Sequence, residues 1–217
     1  RGPDGAGVWT APGIGLGHRR LSIIDLGGGA QPMLTEDERL ALSFNGEIYN
    51  FQELRKELEA LGHQFRTHSD SEVILEAYRA WGPKCVERLH GMFVFALYDQ
   101  ANRQLLLARD RLGVKPLYHA RLADGSIIFG SELKALLEHP ALRREPDLAM
   151  VDDFLAFGYV PDHGCIVAGV QKLAAGHYWL LTQGKAEPAP TQYWDLDFSN
   201  RVKGSEAELQ EELLRLM

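Results

Sequence analysis

The segment Asn45-Gly46-Glu47 combines groups that could act together on a carbonyl substrate. It follows the apolar residues 40–44, which predict a buried strand that ends at Asn45-Gly46. A side-chain amide beside a glycine N–H, which no Cβ covers, is the composition of an oxyanion hole. Asn-Gly is also the strongest short signal for a type I′ hairpin turn. A helix rather than a strand is predicted five residues later, which weighs against a hairpin but leaves both interpretations open.

Three charged residues could complete such a site. Arg20 precedes an apolar segment, and its planar guanidinium suits a free carboxylate, although an arginine there is more commonly a surface residue. Asp70 lies in the first turn of a predicted helix, where the helix dipole stabilises a carboxylate without any functional cause. Glu47 by itself is equally compatible with a structural and a functional interpretation. One cation and two anions around an amide donor match an α-amino acid: the cation would bind the α-carboxylate and the anions the α-ammonium.

The elements that must position these residues can be predicted from apolar spacing. Strands are predicted at residues 13–26, 40–44, 92–98, 104–108, 117–122, 126–129 and 177–181. Helices are predicted at residues 50–61, 69–81, 131–137, 150–157 and from 205 onward. Asn50 and Ser69 are predicted N-caps, and Ser69 with Glu72 forms a capping box. Strands apolar on both faces with helices between them predict two sheets packed face to face under helical layers.

Composition excludes several classes of protein. The 217 residues are 45% hydrophobic and 24% charged, which is typical of a soluble globular protein. The net charge of −7 argues against a nucleic-acid partner, and no apolar run approaches the roughly 20 residues that span a membrane. Two cysteines, Cys85 and Cys165, are too few for a disulfide framework and indicate a reducing cytoplasm. The histidines have no metal-ligand spacing, so we predict no metal site.

Six segments of the chain have a recognisable order and spacing: HRRLSIID at 18–25, GAQPM at 29–33, NGEIYN at 45–50, SDSEVIL at 69–75, RDRLGVKPLY at 109–118 and FGSELKA at 129–135. This set resembles the class II glutamine amidotransferase domain of glutamine-dependent asparagine synthetases, which are N-terminal-nucleophile hydrolases. The resemblance runs from Arg1 to about residue 137. It implies an α+β fold, namely a four-layer αββα sandwich of two mostly antiparallel sheets.

The later part of the chain resembles the entry into the family's synthetase domain. Its matching segments are YVP at 159–161, the lysine, leucine, glycine and histidine at 172, 173, 176 and 177, and YW at 193–194. We therefore predict a glutaminase domain at residues 1–146. Residues 147–217 are predicted to form a linker and the start of an α/β ATP-dependent domain.

The resemblance also assigns a glutamine site. The substrate-binding residues that it implies are Arg20, Leu21, Ser22, Ile23, Ile24, Asn45, Gly46, Glu47 and Asp70. Arg20 would hold the α-carboxylate, while Glu47 and Asp70 would hold the α-ammonium. The Asn45 side chain and the Gly46 N–H would be the catalytic groups that stabilise the oxyanion.

The family's nucleophile is an N-terminal cysteine whose α-amine acts as the base. The sequence begins at Arg1, so we expect that cysteine to lie upstream in the full-length protein and this chain alone to be inactive. Cys85 and Cys165 are predicted to be buried structural thiols. We expect no cofactor in this chain, whereas the synthetase domain would need ATP and Mg²⁺.

The expected partners are glutamine, the attached synthetase domain and a second copy in a homodimer, with neither a nucleic acid nor a membrane. Three alternatives stay open. The chain could be the glutaminase of a sugar-phosphate or phosphoribosyl amidotransferase. It could also serve a relative that amidates a carboxylate other than aspartate. A catalytically silent relative that only docks or regulates is the third.

Overall fold

The computed structural model describes residues 2, 4–20, 29–199 and 203–216. The strands are β1 (Gly5–Ala11), β2 (Ile14–Arg20), β3 (Met33–Leu34), β4 (Leu40–Ile48), β5 (Gly91–Asp99), β6 (Gln104–Arg109), β7 (Tyr118–Arg121), β8 (Ile127–Gly130), β9 (Val170–Lys172), β10 (His177–Thr182) and β11 (Thr191–Gln192). The helices are α1 (Phe51–Ala60), α2 (Asp70–Trp81), α3 (Leu133–Leu137), α4 (Leu148–Phe157) and α5 (Glu206–Leu216), with a 3-10 helix at Gly82–Arg88. None of these described helices is long and apolar enough to cross a lipid bilayer.

A six-stranded antiparallel sheet forms the centre, in the order β11-β10-β6-β5-β4-β3. Its central strand β5 is apolar on both faces because each face meets a separate buried cluster. Phe93, Phe95 and Leu97 face the cluster that α1 and α2 complete. Val94 and Tyr98 face the opposite cluster, to which the β1–β2 hairpin and residues of the three-stranded sheet contribute.

The second β layer is divided in two. The β1–β2 hairpin is one part, and a three-stranded antiparallel sheet in the order β8-β7-β9 is the other. Residues of α3 pack against strands of this smaller sheet in a third cluster, which includes Ala120, Leu136 and Val170. The predicted α+β class with antiparallel sheets is confirmed, and the division of the second sheet was not foreseen.

The strand predicted to end at Asn45-Gly46 continues to Ile48, so that prediction is wrong. Asn45, Gly46 and Glu47 lie opposite Val94, Phe93 and Met92 of β5, in the same register as the rest of the strand. Cross-strand pairing therefore overrides the local turn preference of Asn-Gly. The hairpin interpretation is excluded, and the three candidate residues lie within a sheet rather than in a loop.

Asn50 precedes α1 as predicted, but its side chain makes no cap hydrogen bond to the helix. Its Nδ2 donates to the Arg88 carbonyl at 3.0 Å, and its Oδ1 accepts from the His90 N–H at 2.9 Å. Asn50 therefore occupies the N-cap position, as predicted, but its side chain does not cap the helix. Asn50 instead fastens the start of α1 to the segment that leads into β5.

The predicted capping box at α2 is half correct. The Ser69 hydroxyl accepts from the Ser71 N–H at 3.2 Å, as an N-cap does. Glu72 does not return to Ser69; its carboxylate accepts from the N–H groups of Arg66 and Thr67 and from the Thr67 hydroxyl. Glu72 thus orders the loop before the helix.

The predicted domain boundary near Pro146 separates strands that are partners in the structure. Strand β10 pairs with β6, and β9 pairs with β7, so both central and smaller sheets need residues after position 146. The buried Arg109 reinforces this connection by a two-pronged ion pair with Asp162 and a bond to the Leu173 carbonyl. Both sheets therefore contain strands from the two sides of the predicted boundary.

Both cysteines are buried and unpaired, as predicted. Cys85 is 0% exposed inside the cluster beneath α2, and burial raises the pKa of its thiol to about 12. A thiol with this pKa is protonated at neutral pH and is a poor nucleophile. Cys85 therefore cannot substitute for an N-terminal cysteine.

Shortening the chain should reveal where the folded unit ends. A version that ends at Pro146 lacks β10 and the buried residues Leu173 and Trp179, so it should lose cooperative thermal unfolding and bind a dye for exposed apolar surface. A version that ends at Trp194 should unfold cooperatively. Equal melting temperatures for the two versions, measured by circular dichroism, would show that residues 1–146 fold alone.

Candidate active site

The outer edge of β4 presents backbone N–H groups that are bound by side chains. Beyond the pairing with β3, the Phe44 N–H donates to Gln31 Oε1 at 2.7 Å, and the Ile48 N–H donates to Asp70 Oδ2 at 3.1 Å. Because alternate N–H groups along a strand point to opposite edges, the Gly46 N–H points to this same edge. Within the described part of the chain, no acceptor binds the Gly46 N–H.

Gly46 is required by two features of the backbone. Its φ of 155° favours glycine, and a Cβ at this position would overlap the Met92 carbonyl oxygen and lie 2.6 Å from the Phe93 Cα. Both obstructing atoms belong to the backbone of β5 and cannot move as a side chain can. The close approach of β5 therefore fixes a residue without a side chain beside Asn45.

Asn45 and Glu47 project from the face of β4 opposite the helices, as does Ser43. The Ser43 hydroxyl donates to the Gly17 carbonyl at 3.3 Å and lies 3.3 Å from His18 Nδ1, so β2 crosses β4 here. Asn45 is exposed and Glu47 is half-buried on this face. The predicted oxyanion amide is thus accessible at the place where the β1–β2 hairpin meets the central sheet.

Arg20 is the last residue of β2 and is half-buried. It lies on the same side of its strand as His18, about 7 Å further along, because side chains two residues apart share a face. Burial lowers the pKa of His18, and the charge of Arg20 lowers it further. The guanidinium is therefore close to the contact between β2 and β4.

Asp70 is only 4% exposed at the start of α2, beside the end of β4. Burial raises the pKa of its carboxyl group, and the negative charge of Glu47 raises it further. The N–H groups of Ile48 and Ser71 act in the opposite direction by hydrogen bonding to the carboxylate. Glu47 is therefore near enough for its charge to act on Asp70, although burial is the main cause of the raised pKa.

The structure brings together four of the predicted site residues: Asn45, Gly46, Glu47 and Asp70. Arg20 lies on the neighbouring hairpin. The predicted residues Leu21, Ser22, Ile23 and Ile24 lie outside the described residues. No group of three or more potential metal ligands occurs in the ranges that the structure describes.

Two residues that organise this region were missed. Gln31 belongs to the segment at 29–33 but had no predicted role, although a glutamine before proline at a strand entry was a signal of a fixed loop. The Asp110 carboxylate accepts from the N–H groups of Phe93, Leu112, Val114 and Lys115. In the sequence, Asp110 and Gly113 have the spacing of turn-forming residues, and this spacing could have predicted the role of Asp110.

Comparison with known proteins identifies the family of the chain. Residues 1–194 match the family model described as a glutamine amidotransferase domain. The chain belongs to this family. This match extends past Pro146 to the end of the central sheet.

The relatives of this amidotransferase domain are longer proteins. Asparagine synthetase [glutamine-hydrolyzing] 3 of Bacillus subtilis is 39% identical over 201 residues, which are 91% of this chain and 32% of the relative. A probable asparagine synthetase [glutamine-hydrolyzing] of Dictyostelium discoideum is 49% identical over 137 residues, or 63% of this chain and 25% of that protein. The chain therefore spans about a third or less of the length of these relatives.

The fold is also similar to that of a solved structure. Glutamine phosphoribosylpyrophosphate amidotransferase from B. subtilis superposes with a TM-score of 0.54 at 20% identity, covering 83% of this chain and 35% of the other. At this identity the likeness concerns the fold alone.

The need for glycine at position 46 can be tested against another strand glycine. Gly46→Ala should lower the free energy of unfolding by about 1–3 kcal/mol or more, because its Cβ would meet backbone atoms of β5. Gly17→Ala is the matched control, since nothing lies within 4 Å of a Cβ there. Urea unfolding of both variants would contradict the assignment if their midpoints were the same.

Proposed function

We propose that this chain is the glutamine-hydrolysing part of an asparagine-synthetase-like enzyme. It would release ammonia from glutamine for the ATP-dependent amidation of a carboxylate, with aspartate as the default acceptor. The observation that carries the proposal is the Gly46 N–H, which points to the outer edge of β4 beside the exposed Asn45 and has no acceptor among the described residues. Membership of the amidotransferase family and the asparagine synthetase relatives support it.

The proposed reaction uses these two donors twice. The N-terminal cysteine that the resemblance implies upstream would attack the side-chain amide carbon of glutamine. The electron pair of the C=O bond then moves to oxygen, where the Asn45 side chain and the Gly46 N–H donate to the negative charge. Collapse of this intermediate, with protonation of the nitrogen, releases ammonia and leaves a thioester. Attack by water forms a second oxyanion, from which glutamate is released.

Charge complementarity supports the orientation of the substrate. Glu47 and Asp70 place two carboxylates together, and the α-ammonium of glutamine is the cation that would neutralise them. Arg20 on β2 would bind the α-carboxylate, for which a planar guanidinium is suited. In this orientation the side-chain amide reaches towards Asn45.

The rest of the full-length protein belongs to the same proposal. A synthetase domain that follows the completed central sheet would bind ATP and Mg²⁺, and the protein would form a homodimer in the cytoplasm. Aspartate is favoured as the acceptor because the relatives at 37–49% identity are named asparagine synthetases. The phosphoribosyl alternative has support only from a likeness in fold.

Replacement of Asn45 tests the oxyanion assignment in the full-length protein. Asn45→Ala should lower kcat for glutamine hydrolysis by about 10²–10³-fold, the usual effect of losing one oxyanion donor. The KM for glutamine should change far less, because the donor acts mainly on the transition state. Coupled detection of glutamate gives both constants. A higher KM with unchanged kcat would make Asn45 a binding residue, and an inactive wild-type protein would favour the silent relative.

Arg20→Ala and Asp70→Asn test the two ends of the substrate. Each change removes a charge-assisted contact worth about 1.5–3 kcal/mol, so glutamine affinity should fall by about 10–150-fold. Glutamate keeps both α-groups and should lose affinity in parallel.

Thermal unfolding separates this role from a structural one. Because the pKa of Asp70 is raised in the folded state, its ionised form costs stability once the pH rises through the range of that pKa. Asp70→Asn should therefore keep or raise Tm at neutral pH, while glutamine binding is weakened. A large loss of Tm with unchanged glutamine affinity, measured by calorimetry, would show that Asp70 serves the fold alone.

A further inference from the structure

The side chain of Gln31 connects three parts of the fold. Its Oε1 accepts from the Phe44 N–H at 2.7 Å, and its Nε2 donates to the Ser71 hydroxyl at 3.0 Å. One amide group therefore joins the edge of β4 to the first turn of α2. Its backbone is fixed as well, because the Gln31 carbonyl oxygen lies where a Cβ on Gly7 of β1 would be.

The Gln31 side chain extends the hydrogen bonding along β4 beyond the point where its pairing with β3 stops. Strand β3 has two residues, and Met33 pairs with Leu42, so backbone pairing stops before Phe44. The Gln31 side chain then supplies the acceptor for the next N–H on this edge. Beyond this acceptor, Asp70 accepts from the Ile48 N–H, and the Gly46 N–H between them has no acceptor in the described part of the chain.

The Gln31 side chain binds the β4 edge close to Gly46. Phe44 and Ile48 lie two residues before and after Gly46, and their N–H groups are bound by Gln31 and Asp70. Both acceptors are tied to the start of α2, since Gln31 holds Ser71 and Asp70 is its first residue. The Gly46 N–H thus lies between two fixed points of the same strand edge.

We propose that Gln31 is a positioning residue that fixes the direction of the Gly46 N–H in the oxyanion hole. This inference rests on the proposed glutamine hydrolysis. Gln31 acts through Phe44 and α2 rather than by contact with the substrate. Its contribution is therefore realised when negative charge develops on the carbonyl oxygen, and it lowers the barrier more than it aids binding.

The test compares variants of the full-length protein that contains this chain. Gln31→Leu removes both hydrogen bonds at similar size. Gln31→Glu keeps an acceptor for the Phe44 N–H and can accept from the Ser71 hydroxyl. Ser71→Ala removes only the connection to α2. Thr35→Val is the matched control. The Thr35 hydroxyl accepts from the Leu40 N–H at 3.0 Å on the same edge of β4, but Leu40 lies six residues before Gly46.

Gln31→Leu should lower kcat for glutamine hydrolysis by about 10–100-fold, less than the loss of a donor itself, with KM within about threefold of wild type. Gln31→Glu should restore most of this kcat, and Ser71→Ala should lower it by about three- to tenfold. Thr35→Val should lower Tm without lowering kcat.

Three results would overturn the inference. Unchanged kcat in Gln31→Leu, with a loss of Tm like that of Thr35→Val, would make Gln31 a structural residue only. A raised KM at constant kcat would assign it to ground-state binding. If Gln31→Leu does not fold, Ser71→Ala decides, and unchanged kcat there contradicts the proposal. Failure of the proposed function can be distinguished from failure of this inference, because the wild-type protein itself would then not hydrolyse glutamine.

Discussion

The edge of β4 is the constraint on which the rest of the structure depends. A strand at a sheet edge must satisfy its N–H groups, and here side chains of Thr35, Gln31 and Asp70 do so where β3 is too short. This arrangement requires the segment at 29–35 and the start of α2 to lie against one line of backbone. Among the described residues, no acceptor binds the Gly46 N–H. The close approach of β5 requires glycine at this position.

Asp70 combines a structural and an electrostatic function in one buried carboxylate. It closes the β4 edge by accepting from the Ile48 N–H, and it also brings negative charge next to Glu47. The hydrogen bond stabilises the fold. Burial of the carboxyl group, and to a smaller degree the charge of Glu47, raises the pKa of Asp70 and so disfavours its ionised form.

Periodicity predicted the elements well where burial controls the sequence, as in β5 and α2. The local turn signal of Asn45-Gly46 was misleading, because these residues pair with β5. The Asn50 side chain does not cap α1, because it binds the segment before β5 instead. The pairing of β10 with β6 crosses more than 70 residues of chain, and no local signal encodes it. The role of Gln31 was likewise hidden, since its two partners are 13 and 40 residues away.

The pairing of β10 with β6 has a consequence for synthesis on the ribosome. The chain emerges from its N-terminal side, so β6 and its hydrogen-bonding edge appear about 70 residues before the strand that covers them. During this interval an unpaired edge in the middle of the future sheet is open to neighbouring nascent chains on the same messenger. The fold of this amidotransferase domain is therefore completed only after the segment beyond Pro146 has been translated.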